Sequence, residues 1–129
     1  MSNQKLSVLI KRWLPAVLIC MFIFWLSSQT GNELKAAGLG DDSIHIAGHF
    51  WMYFLLSFAF YRATKSVPLA IVLCVAYAFT DEYHQSFVPG RAASWSDITN
   101  DTFASIIAGG IVWKFYQHLP AILKNLLKA

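Results

Sequence analysis

The run Asp81-Glu82-Tyr83-His84-Gln85-Ser86-Phe87-Val88-Pro89-Gly90-Arg91, with Ser94 and Asp97 just after it, holds the densest set of ionisable and hydrogen-bonding side chains in the 129-residue sequence. Four of the seven carboxylates fall in or just beyond it: Asp81, Glu82, Asp97 and Asp101. It lies between two long apolar runs, and ionisable groups beside a bilayer are costly unless paired or solvated, which marks them as functional candidates. Arg91 carries a planar fork that binds phosphate or carboxylate bidentately. Asp81, Glu82 or His84 can act as general acid or base, because a low-dielectric site raises carboxylate pKa values toward neutrality. The plainer alternative is a structural network, since a carboxylate can neutralise Arg91 and accept helix N-terminal amides, and any buried charge needs a partner. Four acids against one arginine leave a negative surplus that such a network does not require, which favours a ligand-binding or catalytic role.

His45, His49 and Tyr53 recur every four residues, so two imidazoles and a phenol share one helix face. Two histidines at that spacing suit Zn²⁺, with carboxylates completing the set. Hydrogen-bonded or interfacial histidines near a helix start explain the pair more simply, and no metal ion or other cofactor is expected. Cys20 and Cys74 lie within apolar runs, without metal-site or disulfide spacing. No Ser or Cys has a triad-like neighbourhood, so catalysis stays open. The expected site comprises Asp81, Glu82 and His84 as candidate catalytic groups, with His49, Tyr53, Gln85, Arg91, Asp97 and Asp101 binding the ligand.

The elements that must position these groups are apolar. Apolar residues make up 57% of the chain and charged residues only 13%, where a soluble domain carries about 25% charged. The excess sits in long runs, which points to an all-α, polytopic membrane protein: one domain over residues 1–129, with four spans near 13–28, 44–61, 67–87 and 97–116. Residues 31–42 read as a loop, broken by Gly31, Gly38 and Gly40. Asp41 and Ser94 have the placement of helix N-caps, the latter in a Ser94-x-x-Asp97 box. The third run crosses a bilayer only if its helix continues through Phe87, before Pro89-Gly90 turns the chain. Ala104, Ala108, Ser105 and Gly109 form small-xxx-small pairs that let another helix approach closely. The tail from Gln117 is amphipathic, is interrupted by Pro120, and suits the membrane surface.

Charge placement gives the expected orientation. Lys5, Lys11, Arg12, Arg62, Lys65, Lys114, Lys124 and Lys128 fall on one side of the four-span arrangement, with Lys35, Arg91 and all seven acids on the other. By the positive-inside rule both termini are cytoplasmic and residues 81–97 face outward.

The motif residues also carry a resemblance. Tyr77-Ala78, Asp81 through Arg91, and Asp97 resemble the VanZ-like family of small bacterial membrane proteins, whose pattern here is approximately D-E-x-H-Q-x-F-x-P-G-R followed by D. His49-Phe50-Trp51-Met52-Tyr53 matches the family's H-F-x-x-Y element, and Ser27-Ser28-Gln29 its exit from the first helix. The chain departs in two places. His45 and Ile46 stand where a basic residue is usual, and Asp101 and Ala104 where N-x-x-G often follows. The resemblance implies a four-helix protein of the bacterial cytoplasmic membrane, and the founding member is associated with teicoplanin resistance. Some members carry a phosphotransbutyrylase label, which an outward-facing polar cluster does not fit, because acyl-CoA chemistry is cytosolic. The function expected is binding of an anionic lipid headgroup or lipid-linked cell-wall precursor, affecting glycopeptide or envelope susceptibility. The alternative is an intramembrane enzyme using Asp81, Glu82 and His84 as acid and base on such a lipid. A second copy of the chain, in a homo-oligomer, is a further candidate partner. Nucleic acid is not expected, because no basic run interleaves with aromatics.

Overall fold

The structure, a computed structural model, describes residues 3–128. Met1, Ser2 and Ala129, which belong to the expected domain and its termini, lie outside the described residues, as do the side chains of Asn3, Gln117, Leu126 and Lys128. The described chain is all helical: α1 (Asn3–Ser27), α2 (Gly31–Ala36), α3 (Asp42–Thr64), α4 (Val67–Gln85), α5 (Trp95–Phe115), a 3₁₀ turn (Tyr116–His118) and α6 (Ala121–Lys128).

Local chemistry sets most helix ends. Asp41 caps α3 by accepting from the amides of Ser43 (2.8 Å) and Ile44 (3.4 Å). Lys65 ends the same helix in the left-handed region, at φ 60°. Ser66 caps α4, whose second residue, Pro68, falls where its missing N–H costs nothing. Ser94 caps α5 by accepting from the Asp97 amide at 3.3 Å.

Helices α3 (expected 44–61) and α5 (expected 97–116) each start two residues early, and three further boundaries differ from the sequence expectation. The first helix begins well before Trp13, because the residues from Gln4 continue the helix without a breaker. Helix α4 stops at Gln85 rather than Phe87. Its last turn tightens, with Phe87 N–H on His84 O and Val88 N–H on Gln85 O, because Pro89 has no N–H to donate to Gln85 O. The stretch 31–42 is not a simple loop. Thr30-x-x-Glu33 forms a capping box in which the Thr30 amide donates to Glu33 Oε2 at 2.7 Å and the Glu33 amide to Thr30 Oγ1 at 3.2 Å, starting α2.

Helix α3 is central and packs on α1, α4 and α5. The core holds Ile23, Tyr53, Leu56, Ala59, Phe60, Cys74 and Ala78, with Ala104 from α5. The small residues of α5 are spent on this packing: Ala104, Ser105 and Ala108 are fully buried, and a Cβ placed on Gly109 would meet Val67 and Ile71 side chains at 3.0 Å. Away from the polar cluster, Tyr77 Oη donates to Cys20 O at 2.6 Å, and Arg12 donates to Ala63 O. Lys65 Nζ donates to Leu127 O, docking α6 on the end of α3.

Polarity runs opposite to that of a water-soluble protein. Leu14, Leu18, Met21, Phe22, Val72, Phe103 and Ile106 face outward, while Asp81, Glu82, Gln85, Asp101 and Ser105 are buried. Among the described residues two helices, Gln4–Ser27 and Asp42–Thr64, are long and apolar enough to cross a membrane.

Candidate functional site

The buried polar groups gather where the C-terminal end of α4 meets the N-terminal ends of α3 and α5. Helix α3 contributes His45 and His49, and α5 contributes Asp97 and Asp101, each pair one turn apart. The two pairs meet rung on rung. His49 Nδ1 lies 3.2 Å from Asp101 Oδ2, and His45 Nδ1 lies 3.9 Å from Asp97 Oδ2. The imidazoles sit with centroids 4.5 Å apart, and the Tyr53 ring stacks below His49 at 6.1 Å.

Arg91 joins the outer rung. Its Nη2 lies 3.0 Å from His45 Nε2 and donates to Gln85 Oε1 at 2.6 Å. A guanidinium only donates, so His45 Nε2 accepts, which puts the ring proton on Nδ1, facing Asp97. Gln85 is the hub: its Nε2 donates to Asp81 Oδ2 at 3.1 Å and to Ser27 Oγ of α1 at 3.3 Å. Glu82 accepts the backbone N–H of Ser94 on Oε2 at 2.6 Å. One carboxylate thus ties the end of α4 to the cap of α5 and fixes the span of the Pro-Gly-Arg loop.

That loop is held by a close backbone approach. Gly31 N–H donates to Pro89 O at 3.1 Å, and a Cβ on Gly31 would collide with the Gly90 carbonyl. Gly90 itself turns at φ +74°. The start of α2 therefore seats the turn that presents Arg91.

Beside the cluster, α1, α2 and α3 enclose a pocket of about 150 Å³. Its walls are apolar, from Ile23, Leu26, Leu34, Leu39, Ile44 and Met52, and its polar lining includes His45, His49 and Arg91. Gly48 lines the same pocket, and a Cβ there would meet nothing within 4 Å.

A profile of the VanZ/LLP1 family matches residues 12–117. The chain belongs to the VanZ/LLP1 family. No curated protein and no solved structure matches it. Membership, with the two apolar helices, makes this a membrane protein.

In this VanZ/LLP1 chain the central motif divides into parts with different duties. Asp81, Glu82 and Gln85 turn into the cluster, where the structure also brings His49, Tyr53, Arg91, Asp97 and Asp101. His84 does not join them. Its ring stacks on Phe24 at 4.4 Å and its Nε2 lies 3.0 Å from Ser28 Oγ, so it packs against the end of α1 instead. His49, Asp81 and Glu82 each offer a ligand atom, all within 4.8 Å of one another, a grouping that could hold a metal ion. This is not the His45/His49 pairing that sequence spacing suggests, because His45 Nε2 is taken by Arg91. The expected site left out Ser27, Gly31 and Gly48. Only Ser27, in the Ser27-Ser28-Gln29 element, carried a visible signal.

Proposed function

We propose that this VanZ/LLP1 protein binds an anionic amphiphile, a lipid headgroup or lipid-linked cell-wall precursor, at the outer face of the bacterial cytoplasmic membrane, and thereby affects glycopeptide or envelope susceptibility. One observation carries the reading. Arg91 lines an apolar-walled pocket, and among the described residues it makes no ion pair with a carboxylate: Gln85 Oε1 and His45 Nε2 are both neutral acceptors. A fixed cation beside an apolar wall matches a phosphate or carboxylate attached to a hydrocarbon chain.

The membrane arrangement that goes with this reading has four spans, α1, α3, α4 and α5. Helices of 19 and 21 residues, α4 and α5, measure about 28 and 31 Å, close to the hydrocarbon thickness. The basic residues gathered at the opposite end favour cytoplasmic termini. A reporter fused after Ala129 should be active inside the cell; activity outside overturns the orientation.

Binding and catalysis separate in one experiment. Purified protein is mixed with a polyprenyl-pyrophosphate probe, and bound and altered lipid are followed by mass spectrometry for wild type, Asp81→Asn, Glu82→Gln and Arg91→Ala. Saturable binding of unaltered probe, lost in Arg91→Ala, supports the binder. Probe consumption abolished by both carboxylate variants supports the enzyme instead. Neither result from folded protein refutes both.

A further inference from the structure

We propose that His49, Asp81 and Glu82 form a binding site for one divalent transition-metal ion, Zn²⁺ or Mn²⁺, where α3 meets the end of α4. The starting point is not the number of acids but the oxygens that the fold leaves over. Asp81 and Glu82 are each 2% exposed. Each uses one carboxylate oxygen on the protein, Asp81 Oδ2 for Gln85 and Glu82 Oε2 for the Ser94 amide. The other oxygens, Asp81 Oδ1 and Glu82 Oε1, are buried with no hydrogen-bond partner. Asp101 repeats the pattern, with Oδ2 near His49 and Oδ1 unpartnered. Buried acceptors left without a donor are rare in native proteins and call for an explanation. Here they converge, since ligand atoms of His49, Asp81 and Glu82 all lie within 4.8 Å of one another.

A cation supplies what the unpartnered oxygens lack. Arg91 Nη2 donates to Gln85 and His45, and Arg91 makes no ion pair with the carboxylate of Asp81 or Glu82. The donor set of one imidazole and two carboxylates selects the ion class: the imidazole favours Zn²⁺ over Mg²⁺ and Ca²⁺, which prefer oxygen alone, and the two carboxylates also suit Mn²⁺. Ligands bound tetrahedrally at about 2.0–2.2 Å lie roughly 3.3–3.6 Å apart around one ion, so a pair at the 4.8 Å limit closes by about 1.2–1.5 Å on binding. Asp101 stands behind His49 as a support. Asp101 Oδ2 lies 3.2 Å from Nδ1, so ligation through Nε2 would complete the carboxylate–histidine–metal arrangement that fixes ring orientation and tautomer. The inference stands apart from the lipid reading, and it also removes an obstacle to it, because a divalent ion offsets buried negative charge near an anionic headgroup.

The test uses full-length protein in detergent, stripped with a chelator and dialysed against Zn²⁺ or Mn²⁺, with bound metal counted by elemental analysis. One equivalent is expected in wild type and in Asp42→Asn, an exposed acid outside the cluster. Affinity should fall at least tenfold in Asp81→Asn and Glu82→Gln, and about 10–100-fold in Asp101→Asn, which alters only the support. Wild type that takes up neither ion, or folded Asp81→Asn and Glu82→Gln that bind as wild type does, overturns the proposal. If the variants do not fold, pulsed electron paramagnetic resonance of Mn²⁺ on wild type decides: a coupling to imidazole nitrogen supports the site, and its absence overturns it. Amphiphile binding measured on the same metal-free samples keeps the two readings separate, since probe bound without metal leaves the lipid reading intact while the metal site fails.

Discussion

Replacing Gln85 by leucine removes a side chain that touches Ser27, Asp81 and Arg91 at once. Leucine is close to glutamine in volume, so the cost is in hydrogen bonds rather than in a cavity. Two of the three bonds have a charged partner, each contributing about 1.5–3 kcal/mol, and the Ser27 bond adds about 1 kcal/mol. Arg91 is only partly buried, so water replaces some of its loss. Asp81 is not so placed, and with Oδ1 already unpartnered it would keep neither oxygen satisfied. The expected destabilisation is about 3–5 kcal/mol. It is read as a shift in unfolding by sodium dodecyl sulfate, followed by circular dichroism, in a fixed detergent. Gln85→Glu sharpens the test. It keeps an acceptor for Arg91 but faces Asp81 with a second carboxylate, so it should not restore stability even though the arginine contact survives. If Gln85→Leu unfolds within about 0.5 kcal/mol of wild type, the side chain is not a hub and the reasoning fails.

Three further outcomes follow from the packing and caps. Gly31→Ala sets a Cβ against the Gly90 backbone, which cannot yield as a side chain would; the Pro-Gly-Arg turn should shift, stability should fall by about 1–3 kcal/mol, and probe binding should weaken, all measurable by unfolding and titration. Gly109→Leu drives into Val67 and Ile71 and should cost about 1–3 kcal/mol, while Gly110→Leu, where an added Cβ meets nothing within 4 Å, should cost little in the same assay. The Thr30 amide and hydroxyl hold the Glu33 carboxyl below its usual range. Its contribution to the α2 cap is therefore present above the ordinary glutamate range and lost as pH falls through the lowered folded value, so the protection factor of the Thr30 amide, its exchange rate measured against the intrinsic rate at the same pH, should fall on acidification and become insensitive to pH in Glu33→Gln.

Much of this frame was legible because it rests on local chemistry. Asp41 and Ser94 cap by side-chain oxygens whose placement is visible in the sequence, and the Ala104-to-Gly109 stripe announces close packing by size alone. The meeting of His49, Gln85, Arg91 and Asp101 was legible as a neighbourhood, because helical spacing puts 45, 49 and 53 on one face and 97 and 101 on another. What stayed hidden depends on contacts between distant segments. Gly31 reads as a helix breaker, yet it opens α2 and is small because Gly90 lies against it. His84 shares the motif with Asp81 and Gln85, but Phe24 and Ser28 draw its ring to α1. The pairing of His49 with Asp81 and Glu82, rather than with His45, depends on how α3 meets α4. No spacing within a single helix encodes that.

The central claim is that the pocket beside Arg91 is a ligand site, and Gly48 gives the most direct access to it. A leucine at Gly48 fills the pocket from the α3 wall, where an added Cβ meets nothing within 4 Å, and it improves helix propensity. Equilibrium titration of a polyprenyl-pyrophosphate probe into wild type and Gly48→Leu, each in lipid nanodiscs, is the decisive measurement. The pocket reading predicts saturable binding to wild type and at least tenfold weaker binding to Gly48→Leu at unchanged stability; equal affinity for the two proteins would contradict it.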